Sequence, residues 1–288
     1  MNAAGTFSES WLARREQADH DARAAVPLQA ASDWLAARRG HAPWQLLDLG
    51  SGSGANVRYL APRLPGPQHW HLVDHDDSLL GHAVGRCQPL RDNAGMPIHV
   101  TTHQRDLHAL EASWFADIDL VTASALCDLV SATWVETLAD ACATHRTAIL
   151  ITLSVDGNIR FQADDVVVND AEDAWLFETL AAHQRRDKGL GPALGTTAPQ
   201  ALIQAFTTRG FHIADAESPW HLTPAQRPLA LSLIDGWAAA AREQAPHDRQ
   251  RIERWWQRRR EALDRGHLDL YVGHRDLFAA PEPAHASR

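Results

Sequence analysis

Residues 46–56 read LLDLGSGSGAN: an aliphatic run with one acid inside it, then three glycines alternating with serines. A short aliphatic run ending in glycine is a buried strand feeding a turn, and the following ANVRYLAPRL has helical character as far as Pro65. Strand, glycine-rich turn and helix together make an anion site, because free backbone N–H groups and the helix dipole point outward together. The glycines alone do not choose the occupant. Gly50, Gly52 and Ala55 also satisfy the relaxed GxGxxG/A of dinucleotide-binding folds, which keeps an NAD(P)-dependent oxidoreductase in view.

Downstream, QHWHLVD is a second strand, with Asp76 or Asp77 placed to cap a helix through SLLGHAVGRC. PIHVTTHQRD is a third strand, DIDLVTAS a fourth and TAILITLSV a fifth, the last preceded by the helical SATWVETLADACATH. Strands alternating with helices imply a parallel sheet covered on both faces. After the fifth strand come a helix near AEDAWLFETLAAHQ, the loop GLGPALG, and a helix opening at Thr197, where TAPQ matches a capping box, and ending at Gly210. FHIADAESPW is a sixth strand and LDLYVGHRDLF a seventh. Between them Thr223 and Gln226 fit a second capping box, with Pro224 at the first helical position, and another helix runs from Pro246 to Gly266. Upstream of the glycine loop the sequence reads as two helices, broken at Pro27 and stopped by Gly40.

The chain of 288 residues can bury a sizeable core. Its formal net charge of −9 speaks against a protein that tracks a nucleic-acid backbone, so a small-molecule substrate is expected and no nucleic acid. The basic stretch RIERWWQRRREALDR, from Arg251 to Arg265, is read as a solvated helix face with Trp255 or Trp256 turned inward. No segment has the apolar length of a membrane helix, and the polar N-terminus argues against a signal peptide, so a cytoplasmic protein with no membrane partner is expected. Three cysteines without paired spacing argue against disulfides and structural zinc, and no metal-ligand spacing appears, so no metal is expected. A monomer or a homodimer is equally compatible with the sequence.

Three acids accompany the loop. Asp48 lies inside the first strand, Asp74 ends the second, where a carboxylate can accept from a ribose diol, and Asp106 follows the third, where it could meet an adenine amino group. With LLDLGSGSG, LVDHDDSLL, HQRDL and DIDLVTASALCDLVS in this order, residues 45–154 resemble class I S-adenosylmethionine-dependent methyltransferases. RGFHIADAESPW and VGHRDLF resemble that family's terminal β-hairpin, and the helical insertion between them departs from its simplest pattern. The resemblance implies an α/β fold: a Rossmann-like, seven-stranded, mostly parallel sheet with an antiparallel last strand. It implies an N-terminal helical lid (1–44) and one domain (45–280) with an insertion at about 223–266, and 281–288 has the composition of a disordered tail.

It further implies S-adenosyl-L-methionine as cofactor and S-adenosyl-L-homocysteine as product. Gly50, Ser51, Gly52 and Gly54 would cradle the methionine part with Asp48 near its ammonium. Asp74 and His75 would sit at the ribose, Asp106 and Leu107 at the adenine, and Ser124 with Ala125 beside the methyl. A non-catalytic module binding the same cofactor stays open beside the enzyme.

Methyl transfer to an O or N atom mainly requires alignment, with a base where the acceptor carries a proton. Trp11, Arg15, Asp19 and His20 fall on one side of a helix by spacing. His183, Gln184, Arg186, Asp187 and Lys188 stand before GLGPALG, either as a pocket wall or as an exposed helix end. His183 and His20 are the candidate bases; Trp11, Arg15, Asp19, Asp128, Gln184, Asp187 and Lys188 are the candidate substrate contacts, and such a charged wall suits a polar or anionic molecule. Asp128 could equally cap the next helix. Cys127 is read as packing, and His274 with Asp276, which face one way on the last strand, as structural.

Overall fold

The computed structural model describes residues 9–38, 43–187 and 190–282. Its centre is a sheet in which β1 (Trp44–Leu49), β2 (Gln68–Asp74), β3 (His99–Gln104), β4 (Leu120–Ser124) and β5 (Ala148–Ala163) run parallel. β9 (Asp269–Pro281) lies antiparallel between β5 and β7 (Phe211–Glu217), giving the order β3-β2-β1-β4-β5-β9-β7. Those seven are the expected strands. Two short ones bring the total to nine among the described residues: β6 (Val166–Val167) pairs with the far end of β5, and β8 (Trp220–Leu222) pairs with β9. Short edge pairings of two and three residues carry too little period-2 pattern to stand out in a sequence.

Both faces are covered. Leu46, Trp70, Leu72 and Leu150 face α2 (Ala25–Ala37), α3 (Ala55–Leu60) and α4 (Asp77–Cys87), packing with Leu35, Val57, Leu60 and Leu80. Leu47, Leu49, Val121, Ile149 and Ile151 pack on the other side with Val135 and Leu138 of α5 (Ala132–His145) and with Leu202 and Phe206 of α7 (Ala198–Thr208). A third cluster joins α6 (Ala171–Gln184), α8 (Arg227–Gln244) and α9 (Arg249–Asp264) to the far half of β5 and to β8 and β9, through Phe161, Leu176, Trp220, Ile234, Trp255 and Leu270. The insertion thus packs into a core that it shares with α6 and the sheet.

Several local details differ from expectation. α1 (Glu9–Ala22) and α2 are separated at Arg23 and Ala24, and Pro27 sits inside the first turn of α2, where a missing N–H costs nothing. Thr197 makes no side-chain cap; its hydroxyl donates to Leu194 O at 2.7 Å, and α7 begins without a capping box. The box at Thr223 is present and opens a 3₁₀ turn before α8, and a second, at Asp170 with Asp173, opens α6. Asp76 is the cap of α4, accepting from Leu79 N at 3.1 Å.

The basic face of α9 is part-exposed and also paired. Arg251 donates to Glu172, Arg258 to Asp170 and Arg260 to Asp235. Arg259 grips the fully buried Asp173, which also accepts from Trp255 Nε1 at 2.8 Å. The acids lie on α6 and α8, so only the tertiary fold brings them to the arginines.

Candidate functional site

The glycine loop leaves β1 at Leu49 and turns back into α3 with Gly50, Gly52 and Gly54 all at positive φ. Gly54 is the residue that closes the turn: its φ is 80°, and a Cβ there would lie 2.8 Å from Cys87 Sγ. Only glycine meets both demands without strain. Ser51 stitches the loop to the neighbouring strand, its hydroxyl donating to Asp48 O at 2.7 Å and accepting from Val73 N at 3.1 Å.

Beside the loop is a cavity of about 320 Å³. Gly50, Ser51, Gly52, Asp74, His75, Asp106, Leu107, Ser124 and Ala125 all line it, although they come from the ends of four successive strands. The strands end together because β1, β2, β3 and β4 are parallel neighbours, so that the loops after them share one edge of the sheet. Asp74 holds the centre: Oδ2 accepts from Gly52 N at 2.8 Å and Oδ1 from Asp76 N at 3.0 Å. Asp106 is largely exposed and accepts from His108 N at 2.9 Å; that backbone bond, together with the His108 ring, holds its pKa below the usual carboxylate value.

Asp48 and Gly54 are not on the cavity wall. Asp48 is 1% exposed and lies underneath, its Oδ1 accepting from Asn56 Nδ2 at 2.7 Å and Thr122 Oγ1 at 2.6 Å. Burial raises its pKa against the pull of those hydrogen bonds. The wall above it is formed by Asn56 and by Arg23, which donates to Asn56 Oδ1 at 2.9 Å, to Ser124 Oγ at 3.1 Å and to Thr152 Oγ1. Neither Arg23 nor Asn56 belongs to a recognisable motif. Arg23 reaches the cavity only because α1 and α2 fold back across the sheet edge, with Ala24 N donating to Asp276 at 3.0 Å.

A second cavity, of about 340 Å³, adjoins the first. Arg15, Ala125 and Leu129 line both. Its walls hold Trp11, Asp128, His183 and Gln184 from the expected set, and also Trp220, Trp237, Leu153, Val155 and His274. His20 belongs to the first cavity instead, with Nε2 3.4 Å from Ala55 O, its ring against Tyr59, and its pKa lowered by burial. Asp19 also lines the first, 7% exposed, and binds Arg15 through paired contacts of 2.9 and 3.1 Å while accepting from Trp220 Nε1 at 3.1 Å. Asp187 bridges to Pro192 away from either cavity, and Lys188 lies outside the described residues.

Charges on the second wall are matched. His183 Nε2 is 3.0 Å from Glu243 Oε2, and Arg15 is held by Asp19. Asp276 acts as a structural pin: it accepts from Leu153 N at 2.8 Å, Ala24 N and Ser218 Oγ at 2.6 Å, fixing a bulge in β5 where Leu153 has a φ of 56°. Cys127 is fully buried and burial drives its thiol pKa up, which suits packing and not nucleophilic attack.

The chain is similar in course to several solved enzyme structures. A cyclopropane synthase of Mycobacterium tuberculosis matches at 13% identity over 96% of each chain, with a TM-score of 0.48. Phosphoethanolamine N-methyltransferase 2 of Haemonchus contortus, in complex with S-adenosyl-L-methionine, matches at 14% identity over 97% of this chain and 61% of its own, with a TM-score of 0.40. A putative sarcosine dimethylglycine methyltransferase from Galdieria sulphuraria matches at 14% identity over 88% of this chain and 85% of its own, with a TM-score of 0.41. No protein-family model and no curated protein matches the chain.

Proposed function

We propose that the protein is a class I methyltransferase that moves the methyl group of S-adenosyl-L-methionine to an O or N atom of a small molecule. The observation that carries this reading is the junction: a cavity lined by a glycine loop and two strand-end acids opens, across Arg15, Ala125 and Leu129, onto a second cavity. A two-substrate transfer needs that arrangement, since donor and acceptor must meet end to end.

The residues fit the cofactor. Asp74 retains lone pairs for ribose hydroxyls beyond its two backbone bonds, and Asp106 and Leu107 stand beside it for an adenine. Arg23 is a cation suited to the amino acid carboxylate; Asp48, hidden beneath Asn56, does not line the cavity where it would meet the ammonium. The bound sulfonium supplies an already activated methyl, so this chain has to align the acceptor and, where it carries a proton, receive that proton. His183 lines the acceptor side and is the better placed base; His20 lines the cofactor side. We further propose α1 and the link after it as a lid, because Arg15, Asp19 and His20 reach the cavities from α1 and Arg23 from the link.

Dinucleotide binding by the same loop is less well supported. β9 runs antiparallel between β5 and β7, whereas the doubly wound dinucleotide fold continues in parallel past its fifth strand. Calorimetric titration with S-adenosylhomocysteine and with NAD separates the two: the methyltransferase reading expects saturable one-to-one binding of the first, and binding of NAD alone refutes it.

A further inference from the structure

The second cavity has a composition of its own. Trp11 comes from α1, Trp220 from β8 and Trp237 from α8, so three indoles from separate elements face one space, backed by Leu153, Val155 and Ile159. Of the two imidazoles on this wall, His183 meets Glu243, and the other is that of His274. It is 3% exposed, and its ring centroid lies 5.0 Å from that of Trp220 at an interplanar angle of 53°. The ring leans on the Val272 backbone, and its Nδ1 makes no close hydrogen bond to the protein. A buried ring nitrogen without a partner costs stability, and such groups in a ligand cavity point to a partner that arrives with the ligand.

The charges around it are already answered. Asp19 holds Arg15, Glu243 meets His183, and Asp128 is engaged as well. Burial first, and the nearby Arg15 guanidinium second, push the His274 pKa down to about 3, so the ring is neutral at physiological pH and one nitrogen accepts a hydrogen bond.

We propose that the second cavity binds a flat, uncharged aromatic or heteroaromatic molecule carrying a hydrogen-bond donor, and that His274 is the positioning residue that accepts from that donor. The indoles supply broad stacking surfaces, which favour planar ligands. The His274 acceptor supplies the selection, since a site built to pair with an O–H or N–H rejects the analogue that lacks it. This occupant differs from the polar or anionic one that the charged segments suggest in sequence, because Arg15 and His183 already have partners.

The proposal rests on the methyl-transfer reading only for what then happens to the ligand. The test is a ligand-observed NMR titration of the full chain with indole, with its donor-free analogue 1-benzothiophene, and with phosphoethanolamine, each with and without S-adenosylhomocysteine. Indole is expected to bind about five- to tenfold more tightly than 1-benzothiophene, the worth of one hydrogen bond. His274→Phe should abolish that preference while still binding both, and His274→Asn, which keeps an acceptor, should restore part of it. Equal affinity for the two aromatic probes in the native protein, a preference unchanged in His274→Phe, or tighter binding of phosphoethanolamine would each overturn the proposal. The native comparison decides even where the variants do not fold. Binding of S-adenosylhomocysteine without an indole preference removes this inference and leaves methyl transfer standing; an indole preference without it does the reverse.

Discussion

Asp74 shows how much one side chain can hold in this site. Its two oxygens tie the glycine loop, through Gly52 N, to the cap of α4, through Asp76 N, and the same carboxylate faces the cavity. Asp74→Ala should weaken S-adenosylhomocysteine binding by roughly 10- to 100-fold, the loss of a hydrogen bond to a charged group. Unchanged affinity in calorimetry would remove the ribose from this position. Gly54 tests the loop from the other side. Gly54→Ala places a methyl 2.8 Å from Cys87 Sγ at a φ of 80°, so stability in urea should drop by about 1–3 kcal/mol. Both residues are legible in the sequence because they belong to a local, ordered pattern. Arg23 and His274 are not: each reaches its cavity through long-range packing, Arg23 through the backbone clasp of Ala24 on Asp276 and His274 through the pairing of β9 with β5, where it stands opposite Val155.

Among the elements, α9 separates what a helix pattern can and cannot reveal. Its period turns one of Trp255 and Trp256 inward, and the buried one is Trp255, yet nothing local shows that Arg259 will meet Asp173, 86 residues away. That buried pair joins the insertion to α6, and breaking it leaves a buried cation with only the Val168 carbonyl at 3.1 Å and the more distant Asp170 at 3.6 Å. Asp173→Ala should therefore cost about 3–5 kcal/mol, read as a shift in the urea midpoint, and a change under 1 kcal/mol would show that the pair carries little. The strands tell the same story in reverse. Seven of them announce themselves by apolar runs and turn residues, while β6 and β8 exist only through the partners that β5 and β9 offer them.

At the scale of the whole molecule, the histidines set the response to acid. Burial, with His69 and His103 nearby, lowers the pKa of His71 to about 4, and His274 is held at about 3. Unfolding returns both to an ordinary value near 6.5, so the unfolded chain binds more protons in between. Their contribution is present above about pH 6.5 and is lost as the pH falls toward about 4, then about 3. Urea midpoints measured from pH 7 to pH 4 should fall, and fall less steeply in His71→Gln; parallel curves would assign the acid response elsewhere. The organisation of the molecule into two adjoining cavities at one sheet edge is what the account depends on most. Calorimetric titration of the native protein and of Asp74→Ala with S-adenosylhomocysteine tests it most directly. Saturable one-to-one binding that weakens at least tenfold in the variant is the expected result, and absence of binding to the native protein would contradict the account.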